Sequence, residues 1–425
     1  MNVYIRTNCN SKIGLGHLVR TTRLAIEMRK IGLLCFFFID NFYSGKFLEF
    51  KKTAMYNNLN KFTNEINDAK LFCKLTGKIK PGIVLVDDYR LSIKWEKYVS
   101  KFHKKIITFD DIEDKQHYAD TIINYNPRHY PIVKYNYYNN KKKNCDYLIN
   151  LKYNILSRDK IIKSHNLDQK KFYITFYIGG GSDQKVIYKL LLELIKKIRK
   201  KFNKIKFLVV IGPLSINKHL IIKLAKKYDF IEFVDNSTNL YHIIKKSKIF
   251  IASSGTAVFE SAYLKTPTIL FKMSKNQDTD IFSLEKIGHY FFLDLKHLSL
   301  IKKFSKLIFI LINNYTRFKK LINNPKIKID NKGSTRLVNQ IFLKKKENKR
   351  KVFKKLISYT KDKFSIRAVN DSDINHYIFS RNMEINRRHS SNTKKISILD
   401  HYVWWFQSNR RSYVLLKNEK KVLYF

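Results

Sequence analysis

A histidine follows two closely spaced glycines near the start of the chain, at Gly14, Gly16 and His17. Glycines let the backbone turn tightly and approach a ligand. The pattern that follows predicts a helix, whose free N–H groups and positive dipole end favour an anion. The same field disfavours a protonated imidazole, so His17 is expected to stay neutral and able to accept a proton. The motif also fits a plain turn, with His17 as a capping or solvated side chain.

A second candidate site lies in the other half of the chain. There a predicted strand at 249–252 runs through small residues, including Gly255 and Thr256, into a predicted helix. Small residues allow close approach of the backbone, and a helix N-terminus offers donors to a diphosphate. Glu260, one turn into that helix, is expected either to accept two hydrogen bonds from a ribose diol or only to complement the helix dipole.

Acidic pairs follow two predicted strands of the first half. The pairs are Asp87 with Asp88, after the strand predicted at 82–86, and Asp110 with Asp111, after the strand predicted at 106–109. Because ligands bind beyond the carboxyl ends of parallel strands, these carboxylates and His17 are expected at one rim. They could suggest a metal, but no histidine lies nearby in sequence. We therefore predict no metal and interpret them as solvated loop carboxylates or as hydrogen-bond acceptors for a substrate.

Strands alternate with helical patterns in both halves of the chain. The predicted strands are 3–5, 33–39, 82–86, 106–109 and 122–123, then 172–178, 207–211, 231–234, 249–252 and 268–271, with early helices predicted at 46–57 and 62–76. This alternation predicts mostly parallel sheets with right-handed crossovers. We predict an α/β protein with two Rossmann-like lobes, joined through a polar stretch at 127–170.

The net charge of +50 over 425 residues would ordinarily suggest nucleic acid or an anionic membrane as partner. The lysines, however, are spread along the whole chain, and no basic platform with interleaved aromatic residues is present. Nucleic-acid binding is therefore kept only as a rival interpretation, which would show a steep loss of affinity with salt. The prediction is no nucleic-acid partner.

The spacing of the cysteines and the length of the apolar runs predict the cellular compartment of the protein. Four cysteines without paired spacing indicate a reducing environment and no structural metal. No signal peptide is evident at the start. The longest apolar run, 31–39, is too short to span a bilayer. A soluble, cytoplasmic protein without a membrane span is predicted.

Six short motifs, in order over roughly residues 1–344, resemble a known enzyme family. They are Gly-Leu-Gly-His-Leu-Val-Arg at 14–20, Asp-Asp-Tyr at 87–89, the pair at 110–111, Gly-Gly-Ser-Asp at 180–183, Ser-x-x-x-x-x-Glu at 254–260 and Lys-Asn-Gln at 275–277. Together they resemble the UDP-2,4-diacetamido-2,4,6-trideoxy-β-L-altropyranose hydrolases of pseudaminic acid biosynthesis. The resemblance implies a GT-B-like fold with UDP mainly against the second lobe. It also implies hydrolysis, with inversion, of the bond between sugar C1 and the diphosphate.

The resemblance also implies roles for individual residues. His17 corresponds to the catalytic histidine, Tyr89 to a tyrosine on the sugar side of the cleft, and Glu260 and Asn276 to residues that hold the nucleotide sugar. The other residues expected to contact the substrate are Gly14, Gly16, Gly255, Thr256 and Gln277. No cofactor and no metal are implied, and association with other enzymes of the same sugar pathway stays open. The alternative is a GT-B glycosyltransferase that passes the sugar of a UDP-amino-sugar donor to an acceptor hydroxyl.

The last part of the chain is similar to the first half of a GNAT-type N-acetyltransferase. The resemblance rests on Arg381-Asn382, Ile396-Ser397 and the spacing of His401, Trp404 and Phe406. Such a fold holds the acetyl-CoA pyrophosphate at a Gly-rich turn after its fourth strand, and no such turn occurs here. An incomplete GNAT-like α+β segment is expected. The predicted division is 1–165 for the lobe with the catalytic histidine, 166–344 for the UDP-binding lobe, 345–362 for a basic linker and 363–425 for the GNAT-like segment.

Overall fold

In the part of the chain that the structure describes, the strands form two parallel sheets and one small antiparallel sheet. The computed structural model describes residues 1–10, 14–40, 55–58, 62–127, 142, 144–156, 172–181, 183–198, 202, 204–235, 240–273, 277, 279–294, 297, 300–343, 363–407 and 411–425. Each parallel sheet is covered by helices and forms one α/β lobe. The predicted fold of two Rossmann-like lobes is therefore confirmed.

Among the described residues, the first sheet has seven strands. They are β1 (Asn2–Thr7), β2 (Leu34–Ile39), β3 (Met55–Asn58), β4 (Ile83–Asp87), β5 (Lys105–Phe109), β6 (Thr121–Asn124) and β7 (Asp146–Ile149). Their order in space is β3-β2-β1-β4-β5-β6-β7. All neighbouring strands pair in parallel. The carboxyl ends of β1, β4 and β5 therefore meet at one edge, where a ligand site is expected.

The helices described in the first lobe begin with α1, directly after the glycine turn. They are α1 (Gly16–Lys30), α2 (Glu65–Gly77) and α3 (Ile93–Val99), and a 3-10 turn spans Leu151–Tyr153. Gly14 adopts a φ of 76°, a conformation that favours glycine. The buried polar side chains of α1 include those of His17, Arg20 and Arg23. The helix therefore carries hydrogen-bonding and charged groups into the protein.

The second sheet has six parallel strands within the described ranges, in the order β10-β9-β8-β11-β12-β13. The strands are β8 (Phe172–Tyr177), β9 (Ile205–Ile211), β10 (Ile231–Asp235), β11 (Ser247–Ser253), β12 (Thr268–Lys272) and β13 (Phe291–Asp294). The accompanying helices are α4 (Lys185–Ile198), α5 (His219–Lys227), α6 (Tyr241–Lys246), α7 (Ala257–Tyr263), α8 (Ile281–Lys286), α9 (Ile301–Asn313) and α10 (Tyr315–Asn323). The apolar strands are buried on both faces, as is usual for parallel sheets.

A further helix, α11 (Gly333–Phe342), returns to the first lobe and packs against α1. At its start, a Cβ on Gly333 would lie 1.9 Å from the carbonyl oxygen of Asn154, so only glycine fits there. The Thr335 hydroxyl donates a hydrogen bond to Glu27 Oε2 at 3.3 Å. This return helix ties the end of the second lobe to the first.

The last segment contains an antiparallel sheet and packs on the second lobe. Its elements are β14 (Phe364–Ala368), α12 (Ile374–Asn382), α13 (Glu384–Arg388), α14 (Ile398–Gln407), β15 (Tyr413–Lys417) and β16 (Lys420–Tyr424). Trp405 and Tyr402 of α14 are fully buried, and the Tyr402 ring lies 4.9 Å from that of Phe291 in β13. Arg317 and Asp371 form an ion pair at 2.6 Å. The segment therefore shares the apolar core of the second lobe.

Some local predictions differ from the structure. The helix predicted over 46–57 is wrong at its described end, because Met55–Asn58 is a strand of the first sheet. The stretch at 127–170, predicted only as a connection, contains β7, and β13 was not predicted. The predicted linker at 345–362 and the boundary at 165 lie outside the described residues. No helix in the described part of the chain combines the length and hydropathy needed to cross a bilayer.

Candidate functional site

A cleft that is open to solvent lies between the two lobes. Of the residues predicted to contact a substrate, Gly16, His17, Tyr89, Gly255, Thr256 and Gln277 form part of its wall. The first three belong to the first lobe and the last three to the second. The glycine–histidine motif and the small-residue loop after β11, about 240 residues apart in sequence, therefore share one cleft.

His17 is held by a buried carboxylate. Its Nδ1 lies 2.6 Å from Oδ1 of Asp87, the last residue of β4. Burial alone would raise the pKa of Asp87, but Arg20 and His17 outweigh burial and hold that pKa well below its usual range. The ionised Asp87 accepts the hydrogen of Nδ1, which leaves Nε2 as the ring nitrogen able to accept a proton. His17 is only 6% exposed, so the interpretation as a solvated side chain is excluded.

Arg20 joins two carboxylates at the edge of the cleft. Its Nε and Nη2 donate to the two oxygens of Asp87 at 2.6 and 2.5 Å. Its Nη1 donates to Asp111 Oδ2 at 2.6 Å. The planar guanidinium suits this forked arrangement, and its carbon lies 4.4 Å from the centre of the Phe109 ring. Because Arg20 follows His17 by three residues on α1, both side chains reach Asp87 from the same helix face.

Tyr89 completes the arrangement around His17. Its hydroxyl donates to Asp111 Oδ2 at 2.6 Å, and its ring meets the His17 ring edge to face at 4.3 Å. Burial and the neighbouring Asp111 raise the pKa of Tyr89 well above its ordinary value, so the hydroxyl keeps its proton. We call His17, Asp87, Arg20, Asp111 and Tyr89 the His17 network.

The interpretation as solvated loop carboxylates is wrong for three of the four residues in the acidic pairs. Asp87, Asp88 and Asp110 are 0%, 7% and 5% exposed. Asp88 is paired with Arg90 at 2.5 Å, and Asp110 lies 3.3 Å from Nε2 of His117. Within the described ranges, no group of three or more His, Cys, Asp and Glu side chains is arranged to hold a metal ion. The carboxylates are thus neutralised by basic side chains of the protein itself.

The second-lobe wall of the cleft is formed by small residues and one amide. The backbone N–H groups of Gly255 and Thr256 donate to no acceptor in the part of the chain that the structure describes. Gln277 lies beside them, and its Oε1 accepts a hydrogen bond from the Met273 N–H at 3.0 Å. This wall therefore offers donors to a ligand. Asn276, the other predicted residue of this loop, lies outside the described residues.

Two predicted residues do not line the cleft. Glu260 is 3% exposed, and its Oε1 accepts from Nη2 of Arg23, on α1 of the first lobe, at 2.6 Å. Its carboxylate is thus engaged by a side chain of the opposite lobe. Gly14 forms the turn before α1, where its N–H donates to the Asn10 carbonyl at 2.8 Å, and it is absent from the wall that the described residues form.

Several cleft residues were not predicted as site residues. Arg20 could have been found from its position one turn after His17. Tyr125 and Asn126 lie two and three residues after the strand predicted at 122–123, so the rule on carboxyl ends would have included them. Thr279 carries no local signal, yet its hydroxyl donates to Asn126 Oδ1 at 3.0 Å across the lobes.

Two facing lobes with parallel sheets and a cleft between them define the GT-B fold. The crystal structure of MurG from Acinetobacter baumannii aligns with a TM-score of 0.52 and 9% identity. The alignment covers 80% of this chain and 99% of that one. At this identity the likeness concerns the fold alone.

Sequence comparisons identify a matching family and several relatives of this chain. Residues 135–282 match the family described as lipid-A-disaccharide synthetase. The UDP-2,4-diacetamido-2,4,6-trideoxy-β-L-altropyranose hydrolase of Campylobacter jejuni is 25% identical over 297 residues, which are 68% of this chain and 98% of that protein.

Two other relatives are matched over less of their length. The protein MJ1062 of Methanocaldococcus jannaschii, described as uncharacterized, is 26% identical over 292 residues, or 65% of this chain, and the chain spans 57% of it. A Clostridium tetani enzyme is 30% identical over 166 residues, covering 37% of this chain and 44% of that protein. It is named UDP-N-acetylglucosamine–N-acetylmuramyl-(pentapeptide) pyrophosphoryl-undecaprenol N-acetylglucosamine transferase.

Proposed function

We propose that the chain hydrolyses a UDP-sugar, releasing UDP and a free 2,4-diacetamido-2,4,6-trideoxy sugar. The observation that carries the proposal is the cleft with His17 on one wall and the open backbone donors of Gly255 and Thr256 on the other. The similarity to the Campylobacter hydrolase along 98% of its length supports the substrate class.

His17 is the general base of the proposed reaction. A water oxygen attacks C1 of the sugar and gives its proton to Nε2 of His17, while the bond between C1 and the diphosphate oxygen breaks and its electron pair leaves with UDP. Asp87 orients the ring through Nδ1 and stabilises the imidazolium that forms. A positioned base of this kind contributes about 10²–10⁴-fold to the rate. Attack on the face opposite the leaving group inverts C1.

The leaving diphosphate is assigned to the second-lobe wall. Gly255 has no side chain and Thr256 follows it directly, so oxygen atoms can approach the backbone N–H groups closely. Donors that are already oriented stabilise developing negative charge without reorganisation. Gln277 adds a side-chain amide beside them. The sugar then lies toward Tyr89 and His17.

A glycosyltransferase with the same donor site is the second candidate. The similarity to the Clostridium transferase and the match to the lipid-A-disaccharide synthetase family favour it. In that reaction an acceptor hydroxyl takes the place of water. Both reactions need the same nucleotide-binding site. They differ in whether turnover requires an acceptor hydroxyl.

The test is incubation of the chain with UDP-2,4-diacetamido-2,4,6-trideoxy-β-L-altropyranose, without any acceptor, followed by proton and phosphorus NMR. Stoichiometric UDP and free sugar, with the inverted anomer appearing first, are expected. The His17→Ala variant should lose turnover but keep its affinity for UDP. His219→Ala, which removes an exposed histidine at the start of α5, is the matched control and should behave like the unaltered chain. Strict dependence on an added acceptor would favour the transferase instead.

A further inference from the structure

Apolar side chains are exposed where two helices of the last segment meet. Phe379 of α12, Met383 between the helices and Ile385 of α13 are 57%, 46% and 64% exposed. The Phe379 ring also meets the Phe282 ring of α8 edge to face at 5.6 Å, so the apolar surface continues onto the second lobe. Exposed apolar residues that cluster in this way mark protein or membrane interaction sites. We call the surface formed by residues 379–396 the elbow surface.

A groove that is open to solvent lies beside these residues. Its wall consists mainly of apolar side chains from the second lobe and the last segment, namely Ile281, Phe282, Ile378, Phe379, Met383 and Ile398. Two of its polar members are already engaged, since Asn375 donates to Glu285 Oε1 at 2.8 Å and Asn382 to the Ile396 carbonyl at 2.9 Å. The third is the exposed Lys395, whose ammonium group pairs with no described residue. The groove therefore suits an apolar chain that ends near a negative charge.

The elbow surface carries a surplus of positive charge. Its acidic residue, Glu384, is paired with Arg388. Against this one carboxylate stand five basic residues, which are Arg381, Arg387, Arg388, Lys394 and Lys395. Such a local surplus beside exposed apolar side chains favours a partner that is both apolar and anionic.

The loop that carries the two lysines is held in place by the helices. Arg381 Nη2 donates to the carbonyl oxygen of Asn392, and Arg387 Nη1 donates to that of Thr393 at 2.9 Å. The Ile396 N–H donates to Asn382 Oδ1, also at 2.9 Å. Lys394 and Lys395, at the middle of this loop, are thus positioned before any partner arrives, which lowers the entropic cost of binding.

An anionic membrane surface matches both properties of the elbow surface. Met383 and Ile385 are apolar but not aromatic, so they can enter the acyl region of a bilayer but cannot stack on nucleic-acid bases. A second copy of the chain would bring its own positive surplus against the first, which is unfavourable. In the described part of the chain no helix is suited to cross a bilayer, so the contact is peripheral.

We propose that the elbow surface docks the chain on membranes that contain anionic phospholipids. Phe379, Met383 and Ile385 enter the boundary between headgroups and acyl chains, while Lys394 and Lys395 contact the phosphates. Stable attachment of a peripheral protein takes two signals, and here these are apolar insertion and basic charge. The remaining basic residues of the chain attract it to the same membrane, but they supply no insertion.

Co-sedimentation of the full chain with vesicles tests the charge. Vesicles of phosphatidylcholine alone are compared with vesicles of equal parts phosphatidylcholine and phosphatidylglycerol, and stronger binding to the anionic vesicles is expected. Lys394→Gln/Lys395→Gln should bind these about 25-fold more weakly, because each basic residue near an anionic surface contributes about fivefold. The matched control, Lys226→Gln/Lys227→Gln, removes the same charge from exposed positions of α5 and should change binding by less than about twofold.

The contribution of apolar insertion is tested by uncharged substitutions. Ile385→Ser should weaken binding to the anionic vesicles by about three- to tenfold, because an apolar side chain no longer leaves water. Leu34→Ser changes a similarly exposed residue, 54% exposed at the start of β2, and should leave binding unchanged. Thermal unfolding shows whether each variant folds, and Met383→Ser gives the same test should Ile385→Ser not fold.

Three results would each refute the proposal. They are equal binding to both kinds of vesicle, equal losses in the two lysine variants, and binding by Ile385→Ser that matches the unaltered chain. Binding of duplex DNA that depends on Lys394 and Lys395, without binding to vesicles, would assign the elbow surface to nucleic acid. Self-association that Ile385→Ser abolishes, again without binding to vesicles, would assign it to a second copy of the chain.

Discussion

Asp87 lies between His17 and Arg20 and binds both, at 2.6 Å from the imidazole and at 2.5 and 2.6 Å from the guanidinium. The two partners come from one face of α1, whereas the carboxylate ends β4. A single buried carboxylate therefore sets the tautomer of the histidine and is itself kept ionised by the arginine. Because Asp87 binds Nδ1 of His17, it orients the imidazole ring so that Nε2 can act as a base.

Asp87→Asn should lower kcat by about 10²–10⁴-fold, because an amide no longer fixes the Nδ1–H tautomer or stabilises the imidazolium. UDP affinity should stay within about threefold, since Asp87 is assigned no contact with the nucleotide. Steady-state kinetics and UDP titration check both statements.

Asp88→Asn is the matched control for that variant. It also removes a buried carboxylate paired with an arginine, but its partner is Arg90 and not the His17 network. Both variants should lose stability, and only Asp87→Asn should lose turnover. Equal losses of kcat would mean that damage to the fold, and not the loss of base orientation, explains the effect.

We expect Tyr89 to support catalysis mainly through the contact of its aromatic ring with His17. Tyr89→Phe removes the hydrogen bond to Asp111 but keeps the edge-to-face contact with His17, so kcat should fall by no more than about threefold. Tyr89→Ala removes both and should reduce kcat by about tenfold or more. Comparison of the two variants under saturating substrate makes the distinction. A Phe variant as slow as the Ala variant would assign the effect to the hydroxyl.

His117 predicts a pH dependence of stability. Burial alone would lower its pKa, but interactions with Asp110 and Glu96 outweigh burial and raise the pKa of His117 from 6.5 to about 10. Because the folded state binds this proton more tightly, the contribution is complete below pH 6.5 and is lost as the pH rises to about 10. Urea unfolding between pH 6 and 10 should show the decline, and His117→Gln should flatten it. His219→Gln should not, and an unchanged slope in His117→Gln would contradict the assignment.

The last segment should contribute to the stability of the second lobe. Trp405→Ala removes a fully buried side chain from the shared core and should lower the free energy of unfolding by about 3–5 kcal/mol. The adjacent Trp404 is 41% exposed, so Trp404→Ala should cost less than about 1 kcal/mol. Chemical denaturation of both variants tests this. Similar small losses would mean that the segment does not stabilise the lobe.

The alternation of apolar strands with helical patterns was enough to predict both lobes. The edge strands Asp146–Ile149 and Phe291–Asp294 were missed because each has only four residues and follows no strong periodic signal. The rim position of the acidic pairs followed from strand direction. The pairing of these carboxylates with basic side chains could not be predicted from strand direction, because Arg20 and Asp111 are 91 residues apart in sequence.

The candidate site was only partly predictable for the same reason. His17, Gly16 and the loop at Gly255 and Thr256 belong to local motifs, and the structure brings them to one cleft. The engagement of Glu260 by Arg23 spans 237 residues and has no local signature. Contacts of this kind depend on how two lobes close on each other, and a linear pattern carries no information about that closure.

The central claim is that water attacks C1 of the sugar under the direction of His17. Turnover of the UDP-sugar in ¹⁸O-labelled water, read by mass spectrometry, tests it most directly. One ¹⁸O at C1 of the released sugar and unlabelled UDP are expected, with incorporation slowed by about 10²-fold or more in His17→Ala. Label in the UDP, which means attack at phosphorus, or incorporation in His17→Ala at the rate of the unaltered chain would contradict this mechanism.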